Sequence, residues 1–245
     1  MKKFQKIIEQ AEKRKGGKKA LARLLPPAVS VKKLSQTGDD RFLAMMTKCI
    51  NQAGFSWSVI ENKWPQFEQA FFGFDLRKLS LLSPEQWENY AKDKRVVRNW
   101  QKIKAVKDNV VFILHEAREH GTFAQFIASW PCDDLVGLLL YLKKHGARLG
   151  GNTGQRFLRY VGKDVFVLSQ DVIAALKLAG IDIADNPSSQ KDLRKVQEAF
   201  NTWHDETGLS YCHLSKIASY SIGQNYDNDF IEKEILKMPA KASNN

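Results

Sequence analysis

Apolar residues recur along this chain three and four positions apart, and glycine or proline punctuates the runs, so the pattern predicts helices almost throughout. Residues 1–15 read as a basic helix stopped at Gly16-Gly17, and KKALARLLPP as a short helix ended by Pro26-Pro27. DDRFLAMMTKCINQAG opens on an Asp cap and closes at Gly54. In WSVIENKWPQFEQAFFGF, Pro65 marks a kink or a new helix start. SPEQWENYAK carries Ser83 as N-cap, Pro84 at the first helical position and Gln86 at the third, which is a capping box. The longest helix is predicted over NWQKIKAVKDNVVFILHEAREHG, with Ile103, Val106, Val110, Ile113 and Leu114 on one face and Gly121 as the stop. CDDLVGLLLYLKKHG is a further apolar helix ending at Gly146.

The texture then changes. ARLGGNTGQRFLRYVGKDVFVLSQDVIAALKLAG sets a glycine-bearing turn between two helical stretches. SSQKDLRKVQEAFNTWHDETG, opened by Ser188 or Ser189, and SYCHLSKIASYSIG are the last strong helices, and the tail QNYDNDFIEKEILKMPAKASNN is expected to fray. DVFVLS is too short to build a sheet, so the fold class is all-α.

Composition narrows the class. An apolar fraction of 43% suits a globular chain. No run of about 18 apolar residues predicts a membrane span, and the basic N-terminus has no apolar stretch of a secretory signal. Cys49, Cys132 and Cys212 are far apart and form no CxxC pair, which fits a reducing, cytoplasmic setting. A monomer without cofactor is expected.

Charge changes the picture most. Lys and Arg number 38 against 27 acidic residues, a formal +11, and such an excess points to an anionic partner, nucleic acid ahead of a membrane surface, with a soluble chain that is simply basic as the competing reading. Lys13, Arg14, Lys15, Lys18 and Lys19 around Gly16-Gly17 are either a second DNA contact or a solvated basic helix. In LGGNTGQRFLRY a helix ends, a tight turn follows, and a new helix begins near Gly154. Backbone N–H groups at such a turn point outward together and bind phosphate, glycine allows close approach, and Arg148, Arg156 and Arg159 add charge. An ordinary helix-to-helix loop is the competing reading.

Helix, glycine hairpin, helix resembles the helix-hairpin-helix DNA glycosylase superfamily. NQAGFSW, at Asn51 to Trp57, is similar to the QQAGLSW-type motif of the 3-methyladenine DNA glycosylase I family. RVVRNWQKIKAVKDNV resembles that family's Ile-Arg-x-x-x-Lys-Ile segment, and LKKHGARLGGNTG its Leu-Lys-Lys-x-Gly-x-x-x-x-Gly-x-Thr segment. The resemblance spans roughly residues 38–180 and implies a helix-hairpin-helix glycosylase-like bundle. The expected organisation is a basic helical extension over 1–37, a glycosylase-like domain over 38–223 with the hairpin near 140–165, and a tail over 224–245.

The same resemblance implies site roles. Trp57 would stack on an extruded alkylated base, Gln52, Ser56 and Cys49 would lie at its pocket, and Gly151, Asn152 and Thr153 would lie in the hairpin that holds DNA phosphate, where the charge of Arg156 reads as a further phosphate contact. Core packing beside Trp64 and Phe55 is the alternative for Trp57. The partner implied is double-stranded DNA carrying alkylated bases, and the reaction is hydrolysis of the N-glycosidic bond. An electron-rich indole suits a cationic purine.

The departures are specific. The family carries a pocket Glu where this chain has Cys49, which cannot act as a carboxylate. The family's upstream pocket segment and its Cys/His zinc site have no counterpart. His204, Cys212 and His213 are close in sequence but lack further ligands, so no metal is expected. The superfamily's catalytic Asp falls at Ser169, which reads as an N-cap; Asp171, two residues on, is a carboxylate candidate or an ordinary first-turn acid. Lys163 and Lys177 read as phosphate contacts or surface, not as a Schiff-base lysine. Spacing neither promotes nor excludes Glu61. Three functions therefore compete: an alkyl-purine DNA glycosylase, a noncatalytic binder of damaged or structured DNA, and a basic helical scaffold without a base pocket.

Overall fold

The computed structural model describes residues 1–236, which hold helices and no strand. In chain order the first are α1 (Phe4–Lys15), α2 (Lys18–Arg23), α3 (Val31–Ser35), α4 (Asp39–Gln52) and α5 (Trp57–Ala70). Next come α6 (Leu76–Ser80), α7 (Pro84–Asn89), α8 (Trp100–His120), α9 (Phe123–Ser129) and α10 (Leu135–His145). The rest are α11 (Asn152–Val161), α12 (Gln170–Leu178), α13 (Gln190–Thr207), α14 (Tyr211–Ser221) and α15 (Asn228–Leu236). The chain divides into two compact units, one of residues 1–29, 131–137 and 158–245, the other of residues 30–130 and 138–157.

In the second unit α4 packs on α8, and α9 packs on both α3 and α8. Phe42, Met46, Ile50, Ile103, Val106, Val110 and Ile113 are buried there. Leu114 does not join them; it is 36% exposed, because the buried stripe of α8 is centred nearer Asn109 and takes in Phe112 and Glu116 instead. Pro65 neither breaks nor restarts α5, which runs continuously through it. The capping box at Ser83 and Gln86 forms with both reciprocal bonds. The expected Asp cap of α4 is corrected: Gly38 occupies that position, and the Asp39 carboxylate instead accepts from the backbone N–H of Phe123 and Ala124, each at 3.1 Å. Asp39 thus supplies an anion to the start of α9, where unpaired N–H groups favour it.

In the first unit α14 packs against α1 and α12. The N-terminal segment is part of this core rather than an extension from it. Phe4 is fully buried and lies 4.9 Å from the Trp203 ring. Of the basic residues considered as a DNA contact, Arg14 donates to the carbonyls of Tyr220 and Gly223 and buried Lys15 donates to that of Tyr226, while Lys13, Lys18 and Lys19 stay exposed. Part of the expected tail is likewise ordered: Ile231 and Ile235 of α15 pack against Leu24. Residues 237–245 of that tail lie outside the described residues. Ser169 and Ser189 cap α12 and α13 through their hydroxyls.

Lys216 on α14 is partly buried. Burial, reinforced by Arg159, pulls its ammonium down to about 8. Between pH 8 and the ordinary lysine range the unfolded chain therefore holds a proton that the folded one has lost, so stability rises with pH through that window. Below it both states are protonated and the burial penalty is fully present. Lys216→Met is expected to raise stability at pH 7 by about 1–3 kcal/mol and to remove the rise. Urea unfolding of both proteins across pH 7–10 reads this, and an unchanged pH slope in the variant would refute it.

Candidate functional site

Within the second unit, two chain turns meet: the Ala53–Ser56 turn that joins α4 to α5, and the hairpin that joins α10 to α11. The first is built by a buried cation. Lys102, from α8, donates its Nζ to the carbonyls of Asn51 and Ala53, both at 3.0 Å, and so holds the C-terminal end of α4. A positive charge there meets carbonyls that the helix leaves unpaired. The same ammonium lies 4.9 Å from the centre of the Phe55 ring. Burial and the nearby Arg148 pull Lys102 below the usual lysine range. Gly54 then adopts φ +75°, a conformation that favours glycine, and Phe55 and Trp57 emerge exposed at 47% and 38%.

The hairpin is built by a buried amide. Asn109, fully buried on α8, donates to the Ala147 carbonyl at 3.1 Å and accepts the Ala147 N–H at 2.8 Å. Arg148 follows at φ +58° and donates to Gln101 at 2.9 Å. Gly151 takes φ +57° at the entry to α11. Gly154 sits so close to the Leu149 carbonyl oxygen that a Cβ there would lie 2.3 Å from it. Gly151 and Asn152 are exposed, and Thr153 is half-buried. Ile50, Ala53, Arg148, Gly150 and Thr153 line a cleft of about 250 Å³, so the two turns share one depression.

The remaining pocket candidates do not line this cleft and belong to α4, α5 and the turn between them. Gln52 is buried, and its amide nitrogen donates to Glu61 at 3.1 Å. Glu61 also pairs with Lys48 at 2.7 Å. A carboxylate only accepts, so Glu61 turns the Gln52 amide to leave its oxygen as an acceptor. Cys49 is buried, and burial pushes its thiol up to about 12 against the pull of Arg156 and Lys48. It is a neutral thiol at any ordinary pH. Ser56 and Ser58 share a hydroxyl contact of 2.9 Å. Arg156 stands over Trp57, its guanidinium 4.5 Å from the ring centre.

Asp171 lies in the other unit, half-buried in the first turn of α12, where a side chain added at Gly223 would strike its carboxylate. Arg159 and Lys163 are buried there, and Arg159 is used up on the Val165 carbonyl and the Ser215 hydroxyl. His213 faces the Pro26 carbonyl and His204 that of Leu209, and among the described residues no group of three acidic, His or Cys side chains is arranged to hold a metal. Sequence reasoning gave no role to Lys102 or Asn109. Each was a polar residue set on the buried stripe of α8, and Lys102 is also the lysine of the Arg-x-x-x-Lys-Ile segment, which were the available signals.

The architecture is an all-α helical bundle whose fold is like that of helix-hairpin-helix glycosylases. The structure of the Methanocaldococcus jannaschii 8-oxoguanine glycosylase/lyase, solved with a 15mer DNA containing 8-oxoguanine, superposes on 87% of this chain and 95% of its own, with a TM-score of 0.50 and 16% identity. Residues 34–135 match the methyladenine glycosylase family, which bears out the resemblance carried by NQAGFSW and RVVRNWQKIK. The 3-methyladenine DNA glycosylase I of Staphylococcus aureus is also similar, at 18% identity over 63% of this chain and 92% of its own, with a TM-score of 0.47. No curated protein matches the chain. No described helix is long and apolar enough to cross a membrane.

Proposed function

We propose that this protein is a DNA repair glycosylase that extrudes an alkylated purine of the 3-methyladenine type and hydrolyses its N-glycosidic bond. The observation that carries the reading is Trp57, an exposed indole that opens α5 just after the Ala53–Ser56 turn and is covered on its face by Arg156 of α11, the helix that follows the glycine hairpin. Extruding a base takes a few kcal/mol, least for a damaged and poorly paired one. Stacking on an aromatic platform returns about 1–3 kcal/mol per base. A purine alkylated at N3 is cationic and already a good leaving group, so shielding and stacking it supply much of the catalysis. Gln52 offers its oxygen to the base edge. Gly151, Asn152 and Thr153 grip the backbone through the start of α11. The substrate is duplex DNA, the protein acts as a monomer, and its free thiols suit the cytoplasm.

Base release tests this. The protein is incubated with duplexes carrying N3-methyladenine, N7-methylguanine or hypoxanthine, and free base and abasic sites are quantified. Release of the alkylated purines is expected. A second reading, a binder of damaged DNA that does not cleave, is favoured by the neutral, buried thiol of Cys49 at the place of the family's carboxylate. Tight lesion binding with no abasic sites would establish it instead.

Glu61 is a positioning residue in this reading, since it acts through Gln52. Glu61→Gln removes the demand for a donor and frees the Gln52 amide to turn over. Loss of one neutral hydrogen bond in its correct sense predicts a drop in kcat/KM of about three- to tenfold, carried by KM with kcat retained. An equal fall in kcat with KM unchanged would contradict a positioning role.

A further inference from the structure

Arg156 is a guanidinium with nothing to bind but an aromatic face. Among the described residues it makes no hydrogen bond or ion pair, and its close partner is the Trp57 ring, 4.5 Å away. The other arginines of this stretch are used differently. Arg159 is buried on a carbonyl and a hydroxyl, and Arg148 is tied to Gln101.

We propose that Arg156 is the gate of the Trp57 platform: in the free protein it occupies the indole face that an extruded base takes, and on base entry it moves to a DNA phosphate. The inference rests on the reading of Trp57 as the base platform. A guanidinium is flat, delocalised and weakly hydrated, and it stacks on aromatic faces, so it stands in for a flat base. It cannot stay when a cationic purine arrives, because like charges at stacking distance repel. Nor is it held back, since no acidic side chain among the described residues pairs with it. Its new partner is close by in the chain: Arg156 lies in the first turns of α11, whose exposed start at Gly151 and Asn152 is the proposed phosphate grip. A cation–π contact at a half-exposed site is weaker than the stacking of a whole base, so a well-stacking base displaces it and a poorly stacking one does not. Base occupancy and backbone grip are then coupled, and each strengthens the other.

Arg156→Ala tests the gate, and alanine keeps α11 helical. Binding of free 3-methyladenine should tighten by roughly three- to tenfold once the competitor is gone. On a duplex carrying N3-methyladenine, where base entry sends Arg156 to a phosphate, the slope of log affinity against log salt should shrink by about 1. Arg156→Lys stacks less well but keeps a phosphate-binding charge, so it should gain base affinity with its salt slope intact. Unchanged or weaker base binding in Arg156→Ala, or an unchanged salt slope, overturns the proposal. Trp57→Ala separates this from the underlying reading. If it abolishes base binding while Arg156→Ala gains nothing, the gate alone fails. If Trp57→Ala binds base as tightly as the parent protein, or neither the parent nor Arg156→Ala binds base at all, the platform fails and the gate with it.

Discussion

Trp57→Ala should reduce base release by roughly ten- to hundredfold while leaving the fold intact, because an aromatic platform contributes about 1–3 kcal/mol of stacking. The stability effect is expected to stay within about 1 kcal/mol. Trp57 is 38% exposed at the first position of α5, and among the described residues its ring partner is the Arg156 side chain. Large stability losses come from cavities, unsatisfied polar groups or broken networks, and none arises here. Duplex affinity should change little, since every cation is retained. Single-turnover release on an N3-methyladenine duplex, beside thermal melting of both proteins, reads the two effects. Full activity in the variant would return Trp57 to a packing residue, and a melted variant would show that it belongs to the core.

Gly154→Ala should be the most damaging conservative change in the hairpin. The added Cβ would lie 2.3 Å from the Leu149 carbonyl oxygen. The obstacle is backbone, so no rotamer relieves it. Leu149 is itself buried, and Asn109 holds the neighbouring Ala147 at both its polar groups. The strain therefore spreads into the turn, and a loss of about 2–4 kcal/mol is expected, with duplex binding lost beyond what unfolding explains. Gly151→Ala is the comparison. Nothing lies within 4 Å of its Cβ, so only the left-handed φ of +57° opposes it. That costs about 1–2 kcal/mol. Urea unfolding and duplex titration of the pair give the order. If Gly151→Ala is the worse of the two, close packing at Gly154 does not shape the hairpin.

Both predictions concern residues the sequence marked, but the reasons are unequal in origin. Trp57 stood out as a tryptophan just past a helix break, and the glycines stood out as a cluster. Glu61 was one of two acids on α5, with nothing in its spacing to single it out. It gained a place in the proposed site only when α5 was laid beside α4, so that its carboxylate reached Gln52 and Lys48 together. Arg156 was read as a phosphate contact from its charge and place in the chain. Its position over an indole, reached from a hundred residues away in sequence, had no local trace.

The chain by itself determined its longer helices, the serines that cap them, the all-α class and the glycine turn, because those depend on bonds that close within about four residues and on periodicity that one helix expresses alone, whereas the short α3, α6 and α9 left no such trace. It also carried the family resemblance in short contiguous motifs. Tertiary structure decided what the polar residues on buried stripes are for. Lys102 ends one helix from another, Asn109 clamps a turn, and Asp39 serves the start of α9 rather than its own helix. It also showed that much of the basic N-terminal segment is used inside a core. Each of these pairings joins residues tens to hundreds of positions apart, and a helical period tells which face is buried without telling which neighbour it meets.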